Sequence, residues 1–271
     1  MKLSIRHRTR YAYDPEAAQA AMRLKLYPPE FASQKARHWS VTVNGQPVSP
    51  LHVNGNGDSV ALWHCHAPVN AVEIIAEGEV ETVNANGVVR ELDQASRPGM
   101  FLRETDLTAP NDAIRDLGGR AEGTDVLSRL HALSALVHQT IDYRKAVTDA
   151  TTTAADAVAL GAGVCQDQAH VFVAAARAAG VPARYVTGYL FDADAENPET
   201  DTHAWAEGWV EGLGWIGFDV TNQLCPTDAY VRLTSGLDAE DSSPVRGVTG
   251  GETDEEMTVE VAVQQAAQSQ Q

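Results

Sequence analysis

An α+β fold is what this 271-residue sequence predicts: an N-terminal antiparallel, sandwich-like β domain followed by a core in which a central helix packs on an antiparallel sheet. Three observations carry the prediction. Residues 2–91 read as short alternating strands with no helix between them, an alanine-rich helical stretch follows at 165–179, and three strand-like runs come directly after it. With 44% hydrophobic and 21% charged residues the chain has enough apolar material for one large domain or two modest ones.

The β domain spans residues 1–95. Leu3, Ile5 and His7 alternate with polar residues, as do Trp39, Val41 and Val43 ahead of the turn signal Asn44-Gly45. Runs at 60–64, 71–81 and 82–89, punctuated by Asn54-Gly55-Asn56-Gly57 and Asn86-Gly87, continue the texture. Helical spacing begins after Pro98. Asn111 is placed to cap a helix over 111–117, and Leu127, Leu130, Leu133, Leu136, Val137 and Ile141 mark a second. Thr153 and Asp156 form a capping box for a short helix to Leu160, which Gly161-Ala-Gly163 ends.

The next helix starts at Val164 or Cys165 and stops at Gly180, a left-handed cap before Pro182. Its many alanines imply close packing, so it is central and buried. Strands are expected at 183–191, 203–210 and 214–220, the last two joined by the turn Glu211-Gly212-Leu213-Gly214. A helical turn is expected at 228–233 and a last strand at 257–263, both within a core of 96–264, with a frayed tail at 265–271.

A formal charge of −17 makes nucleic acid and anionic membranes unfavourable partners, and the excess acid at 192–201 and 238–241 reads as exposed. No apolar run approaches the roughly 18 residues of a spanning helix, and MKLSIRHRTRYAYDPE has no signal-peptide core. Cys65, Cys165 and Cys225 are few and odd in number, which points to free thiols and a cytoplasmic location.

Cys165 carries the most chemical information. At a helix N-terminus, unpaired N–H groups and the helix dipole favour thiolate and supply donors for an oxyanion. A nucleophile of this kind needs a base and an orienting acid. His203 opens the strand HAWAEGWV and Asp219 ends the next, GWIGFDV, so the hairpin brings both to one end of adjacent strands. Asp219 then holds one imidazole nitrogen while the other faces Cys165.

GVCQDQAH, THAWAEGWVEGLGWIGFDVTNQ and SPVRGV resemble the bacterial transglutaminase-like proteins, a group often described as cysteine proteases, and RHRTRYAYD resembles the start of their N-terminal β domain. The resemblance implies a papain-like core, with Cys165 as nucleophile, His203 as base and Asp219 as orienting acid. Two positions depart from the pattern: Gln168 stands where an aromatic residue is expected, and Val220 where proline commonly follows the acid. Gln168, one turn from Cys165, is expected on a pocket wall or in solvent. Asn222 matches a position often filled by asparagine, with no role beyond turn formation read from the residues.

The second oxyanion donor is open among Gln166, Tyr143 and a tryptophan, while Trp205, Trp209 and Trp215 are expected in the core. His64-Cys65-His66 is excluded as a metal site because strand alternation sends Cys65 to the other face. Cys225 reads as a buried or semi-exposed thiol, with a redox role its remote alternative. No cofactor and no metal are expected. The implied reaction is attack of the Cys165 thiolate on an amide of a peptide or protein, through a thioester resolved by water or an amine. Competing readings are a non-catalytic scaffold and an acyltransferase with a small acyl donor; a long open groove would favour a peptide substrate over the latter. The N-terminal domain shows no site residue of its own.

Overall fold

A computed structural model describes residues 1–193, 199–200 and 202–266. The first strands are β1 (Lys2–Ala17), β2 (Gln19–Leu24), β3 (Gln34–Val43), β4 (Gln46–Pro47), β5 (His52–Val53), β6 (Ser59–Cys65), β7 (Val69–Thr82) and β8 (Val88–Val89). Strand alternation decides their packing. On β1, Leu3, Ile5, Tyr11 and Tyr13 point inward, while Lys2, Arg6 and Arg8 point outward to Glu79, Glu77 and Glu73 of β7. Asn44-Gly45 and Asn86-Gly87 both take positive φ (49° and 75°, 52° and 77°), the backbone that these residue pairs tolerate best.

The helical half comprises α1 (Asp112–Arg120), α2 (Val126–Thr140), β9 (Asp142–Tyr143), α3 (Ala154–Leu160), β10 (Ala162–Gly163) and α4 (Cys165–Ala178). Asn111 caps α1 by accepting from the Ile114 N–H, and the Thr153/Asp156 capping box opens α3. In α4 every residue from Asp167 to Arg177 is buried. Small side chains allow this: α4 lies against α1, α2 and α3 on some faces and against β11 (Ala183–Leu190) and β13 (His203–Val210) on another. After β11 comes the short β12 (Glu199–Thr200), and the chain closes with β13, β14 (Gly214–Phe218), β15 (Tyr230–Gly236), β16 (Val245–Gly250) and β17 (Asp254–Gln265).

The core sheet runs β15-β11-β13-β14-β8, all antiparallel. Two further antiparallel sheets, β12-β17-β1-β7-β3-β4 and β16-β2-β6-β5, enclose the other hydrophobic core. The molecule is thus α+β, a β-sandwich joined to a papain-like core of central helix and antiparallel sheet.

Several expectations are corrected. Residues 228–233 do not form a helical turn: β15 pairs with β11, and all seven of its residues are buried, so burial on both faces hides the alternation. The last strand, grouped with the core by its place in the chain, pairs with β1 instead, from Leu3↔Gln265 to Asp14↔Asp254. The run expected at 82–89 is mostly loop, and its two-residue β8 joins the core sheet beside β14. Asp238 is buried and Asp241 half-buried, since their carboxylates accept from the Asp241 and Leu237 N–H groups; in that stretch Glu240 is the exposed acid. Most of the acidic loop at 192–201 and residues 267–271 of the expected tail lie outside the described residues. Among the described residues no helix is long and apolar enough to cross a membrane.

Buried charge braces the core sheet and its join to the β-sandwich. Glu207 on β13 accepts from Arg184 Nε at 2.6 Å and from Arg232 Nε at 3.0 Å. Asp58, at the start of β6, accepts from Thr234 Oγ1 at 3.0 Å and pairs with Lys25 at 3.4 Å.

Candidate active site

Local backbone needs place Cys165. The capping position Val164 has no side chain able to accept from the first turn, and Asp167 Oδ2 reaches back to the Val164 N–H at 2.7 Å while also accepting from Thr148 Oγ1 at 2.7 Å. Cys165 is therefore the first residue of α4, half-buried, with the N–H groups of that first turn unused by the helix. Its side chain packs against the cluster of Ala169, Tyr185 and Ala204. Asp167 itself is almost wholly buried, and burial raises its carboxyl pKa above the ordinary value against the hydrogen bonds that lower it.

His203 opens β13 opposite Gly188 of β11, and Asp219 directly follows β14. Their separation is 2.7 Å between Nε2 and Oδ2. Asp219 is fully buried, and burial alone would raise its pKa. The bond and charge of His203, with bonds from Tyr230 and Asn222, outweigh this and hold it below the usual carboxylate range. An ionised carboxylate only accepts, so Nε2 carries the proton. That leaves Nδ1 as the ring nitrogen open to Cys165, whose thiol lies near enough to act on the ring. Burial lowers the imidazole pKa, but the hydrogen bond to Asp219, the interaction with Cys165 and the charge on both raise it, to about 10.

Two residues complete the arrangement around Asp219. Tyr230 Oη donates to Oδ2 at 2.6 Å, and Asn222 donates to the same oxygen from Nδ2 at 2.8 Å and to Oδ1 from its backbone N–H at 3.1 Å. Sequence reasoning gave Asn222 a turn role only and missed Tyr230, which lay in the segment taken for helix. Gln168 is buried: its Nε2 donates to the Ile141 carbonyl at 2.8 Å and its Oε1 accepts from Thr221 Oγ1 at 2.7 Å, so it neither faces solvent nor lines the groove.

Cys165 and His203 open onto a groove of about 1160 Å³. Gln166, Tyr143 and Tyr185 line it near the cysteine, and no tryptophan does. Tyr185 is buried beside Cys165, and burial followed by the cysteine's charge pushes its phenol well above the ordinary value, which keeps it a neutral hydroxyl. The opposite wall comes from the β-sandwich: Thr9 and Tyr11 of β1 with Met257 and Val259 of β17. The N-terminal domain therefore does contribute to the site, contrary to the sequence reading. His7, also at the wall, accepts or donates to Tyr189 Oη at 2.9 Å and Thr9 Oγ1 at 3.1 Å, and burial lowers its pKa to about 4.

The remaining residues singled out lie elsewhere. Trp205 and Trp215 are core residues, and the Arg184 guanidinium sits 4.1 Å from the Trp215 ring centre. The rings of His64 and His66 are 4.8 Å apart, and the Cys65 thiol turns to the Ala67 carbonyl at 3.4 Å. Among the described residues no three His, Cys, Asp or Glu side chains gather as a metal site would require. Cys225 is half-buried, which raises its thiol pKa.

Comparison with known proteins returns two family models: the transglutaminase-like superfamily over residues 116–220 and the bacterial transglutaminase-like N-terminal region over residues 3–81. An uncharacterized protein of Mycobacterium leprae is 26% identical over 96% of this chain and 98% of its own, and one of Mycobacterium tuberculosis 26% identical over 90% and 86%. A protein-glutamine gamma-glutamyltransferase of Pseudomonas aeruginosa is 36% identical over 84 residues, 28% of this chain and 12% of that protein. Among solved structures, a “Putative Cysteine Protease” from Cytophaga hutchinsonii aligns over 98% of this chain and 92% of its own, with a TM-score of 0.75 at 24% identity.

Proposed function

The chain belongs to the transglutaminase-like superfamily, and we propose that it is a cysteine enzyme that cleaves an amide bond of a peptide or protein through a Cys165 thioester. The observation that carries this reading is the His203 Nε2 to Asp219 Oδ2 bond of 2.7 Å, with Cys165 near the same ring, in the same groove and at a helix N-terminus. The Cys165 sulfur attacks the carbonyl carbon, and the N–H groups opening α4 face the oxygen that gains charge. His203, kept protonated by Asp219, gives its proton to the departing amine, and the C–N bond breaks. Water then loses a proton to His203 and attacks the thioester, whose C–S bond breaks to release the acid and restore the Cys165 thiolate beside protonated His203.

An amine in place of water would give acyl transfer through the same intermediate. Hydrolysis is favoured because Cys165 is only half-buried, so water can reach the thioester. The groove's size suits an extended polypeptide better than a small acyl donor. Three unpaired cysteines support a cytoplasmic site of action.

The test is the rate of Cys165 alkylation by iodoacetamide against pH, read by mass spectrometry in the native protein and in His203→Ala and Asp219→Ala. Reaction well below the free-thiol range of about 8.5, lost in His203→Ala, is the expected result. An ordinary thiol profile unchanged in both variants would leave the scaffold reading in its place.

A further inference from the structure

We infer that an extended polypeptide substrate joins the molecule as an added strand along the outer edge of β16 and runs from there to Cys165. What it meets at the cysteine rests on the proposed function; where it lies rests on strand geometry. A sheet edge presents unpaired N–H and C=O groups, and proteins usually shorten, cap or cover such edges. Here the edge strands β4, β5, β8 and β12 are two residues each and cover only part of β3, β6, β14 and β17; the stretch of β17 left uncovered carries the charges Asp254, Glu255, Glu256 and Glu260, which guard an edge. The seven-residue edge β15 is capped by a side chain: Gln34 accepts from the Arg232 N–H at 2.7 Å and donates to the Arg232 carbonyl at 2.8 Å. β16, with six residues, has β2 as its one strand partner among the described residues.

The free groups can be assigned. Lys25 N–H donates to the Pro244 carbonyl at 2.7 Å and Ala18 N–H to the Gly250 carbonyl at 2.9 Å, so the even-numbered positions face β2. In an antiparallel pair the alternate residues then point outward, namely Val245, Gly247 and Thr249. Ser243 Oγ occupies the Val245 carbonyl at 2.7 Å, which leaves three N–H donors and two carbonyls. No free charge guards the strand, because exposed Arg246 is paired with Glu240. Val248 is 70% exposed on the outer face, a contact for an apolar side chain of the added strand.

Continuity selects a substrate as the occupant. The segment leading into β16 begins at Ala239, which packs on the same Ala169, Tyr185 and Ala204 cluster as Cys165, and Ser243, Pro244, Val245 and Arg246 then line the catalytic groove. A chain paired with β16 is therefore already in that groove. Recognition through main-chain groups tolerates many sequences at these positions.

The test uses Cys165→Ala, which removes turnover, with β-casein as an unfolded polypeptide probe. At saturating casein, amide exchange across 245–249 is expected to slow about tenfold or more, as strand pairing does to exposed amides. Thr249→Pro in the same background removes one outward N–H and leaves the β2 ladder intact. It is expected to weaken binding about fivefold, the worth of one net hydrogen bond. Thr249→Val keeps the N–H and is expected to bind as the parent, and the urea midpoint of each variant separates lost binding from lost folding. Bound casein without protection at 245–249, no binding, or equal weakening by both Thr249 variants in folded protein would overturn the inference. The alkylation profile judges the catalytic reading separately, because this binding needs no nucleophile.

Discussion

Asp219→Asn isolates what keeps His203 charged. Raising the imidazole from 6.5 to about 10 is on the order of 5 kcal/mol at about 1.36 kcal/mol per pH unit. The carboxylate's charge-assisted bond to the ring is worth about 1.5–3 kcal/mol of that, as hydrogen bonds to charged groups are. An asparagine of the same shape retains no charge, and its amide turned toward Nε2 selects the tautomer with hydrogen on Nδ1, which cannot accept a proton from Cys165. Burial of the ring is then opposed by the cysteine alone, and the equilibrium between the thiolate–imidazolium pair and the neutral thiol–imidazole pair moves by about 30-fold toward the neutral pair. Iodoacetamide labelling of Cys165 at pH 6.5, which follows the thiolate, should slow accordingly. Stability should change in step. A histidine whose folded pKa is raised stabilises fully below its unfolded value and loses that contribution as pH rises through the folded one. The native protein should therefore lose melting temperature between pH 6.5 and 10 through this group, and Asp219→Asn should lose less. Labelling within threefold of the native rate would refute the argument that Asp219 holds His203 charged.

Three further outcomes are expected. Tyr230→Phe removes the 2.6 Å bond to Asp219, a charge-assisted contact, and should lower stability by about 1.5–3 kcal/mol in urea unfolding at pH 7; combined with Asn222→Ala the losses should be non-additive, as measured by a double-mutant cycle, because both residues donate to one oxygen. Gln168→Phe leaves the Ile141 carbonyl and the Thr221 hydroxyl without their partner and should lower stability by about 2–4 kcal/mol in urea unfolding, with part recovered by adding Thr221→Val. His7, lowered to about 4 by burial, takes up a proton in the unfolded chain first as pH falls, so stability drops between pH 6.5 and 4 by at most about 3 kcal/mol from this group; His7→Gln should show a smaller fall in melting temperature between pH 7 and 4.5.

What could be read from the sequence was local. Asn111, the Thr153/Asp156 box and the two Asn-Gly turns each act within a few residues, and each sits where expected. The approach of His203 to Asp219 was legible because one short hairpin sets it. The partners of β17 and β15 were not, since pairing of Leu3 with Gln265 leaves no trace in either segment alone. Burial on both faces also removed the alternation that would have marked β15, and Tyr230 was lost with it. Gln168 shows the same limit at one residue: a polar side chain in a buried helix makes sense only once Ile141 and Thr221 are known to face it.

The same long-range pairing explains why the groove has two walls. β17 follows the core in sequence but lies beside β1, so the chain end carries Met257 and Val259 to the side of the cleft opposite Cys165. His7 then ties β1 to Tyr189 of β11, and Gln34 of β3 caps β15 at Arg232, the strand that also supplies Tyr230 to Asp219. A cut near residue 95 would remove β1 and β3 together. It would leave β17 without its long partner, Arg232 with an uncapped edge and the groove without its far wall, even though Cys165, His203 and Asp219 all lie beyond the cut. The β-sandwich is in this respect part of the site's construction, and Tyr230, held from behind by that sandwich and bonded in front to Asp219, is the residue through which loosening of the interface would reach His203.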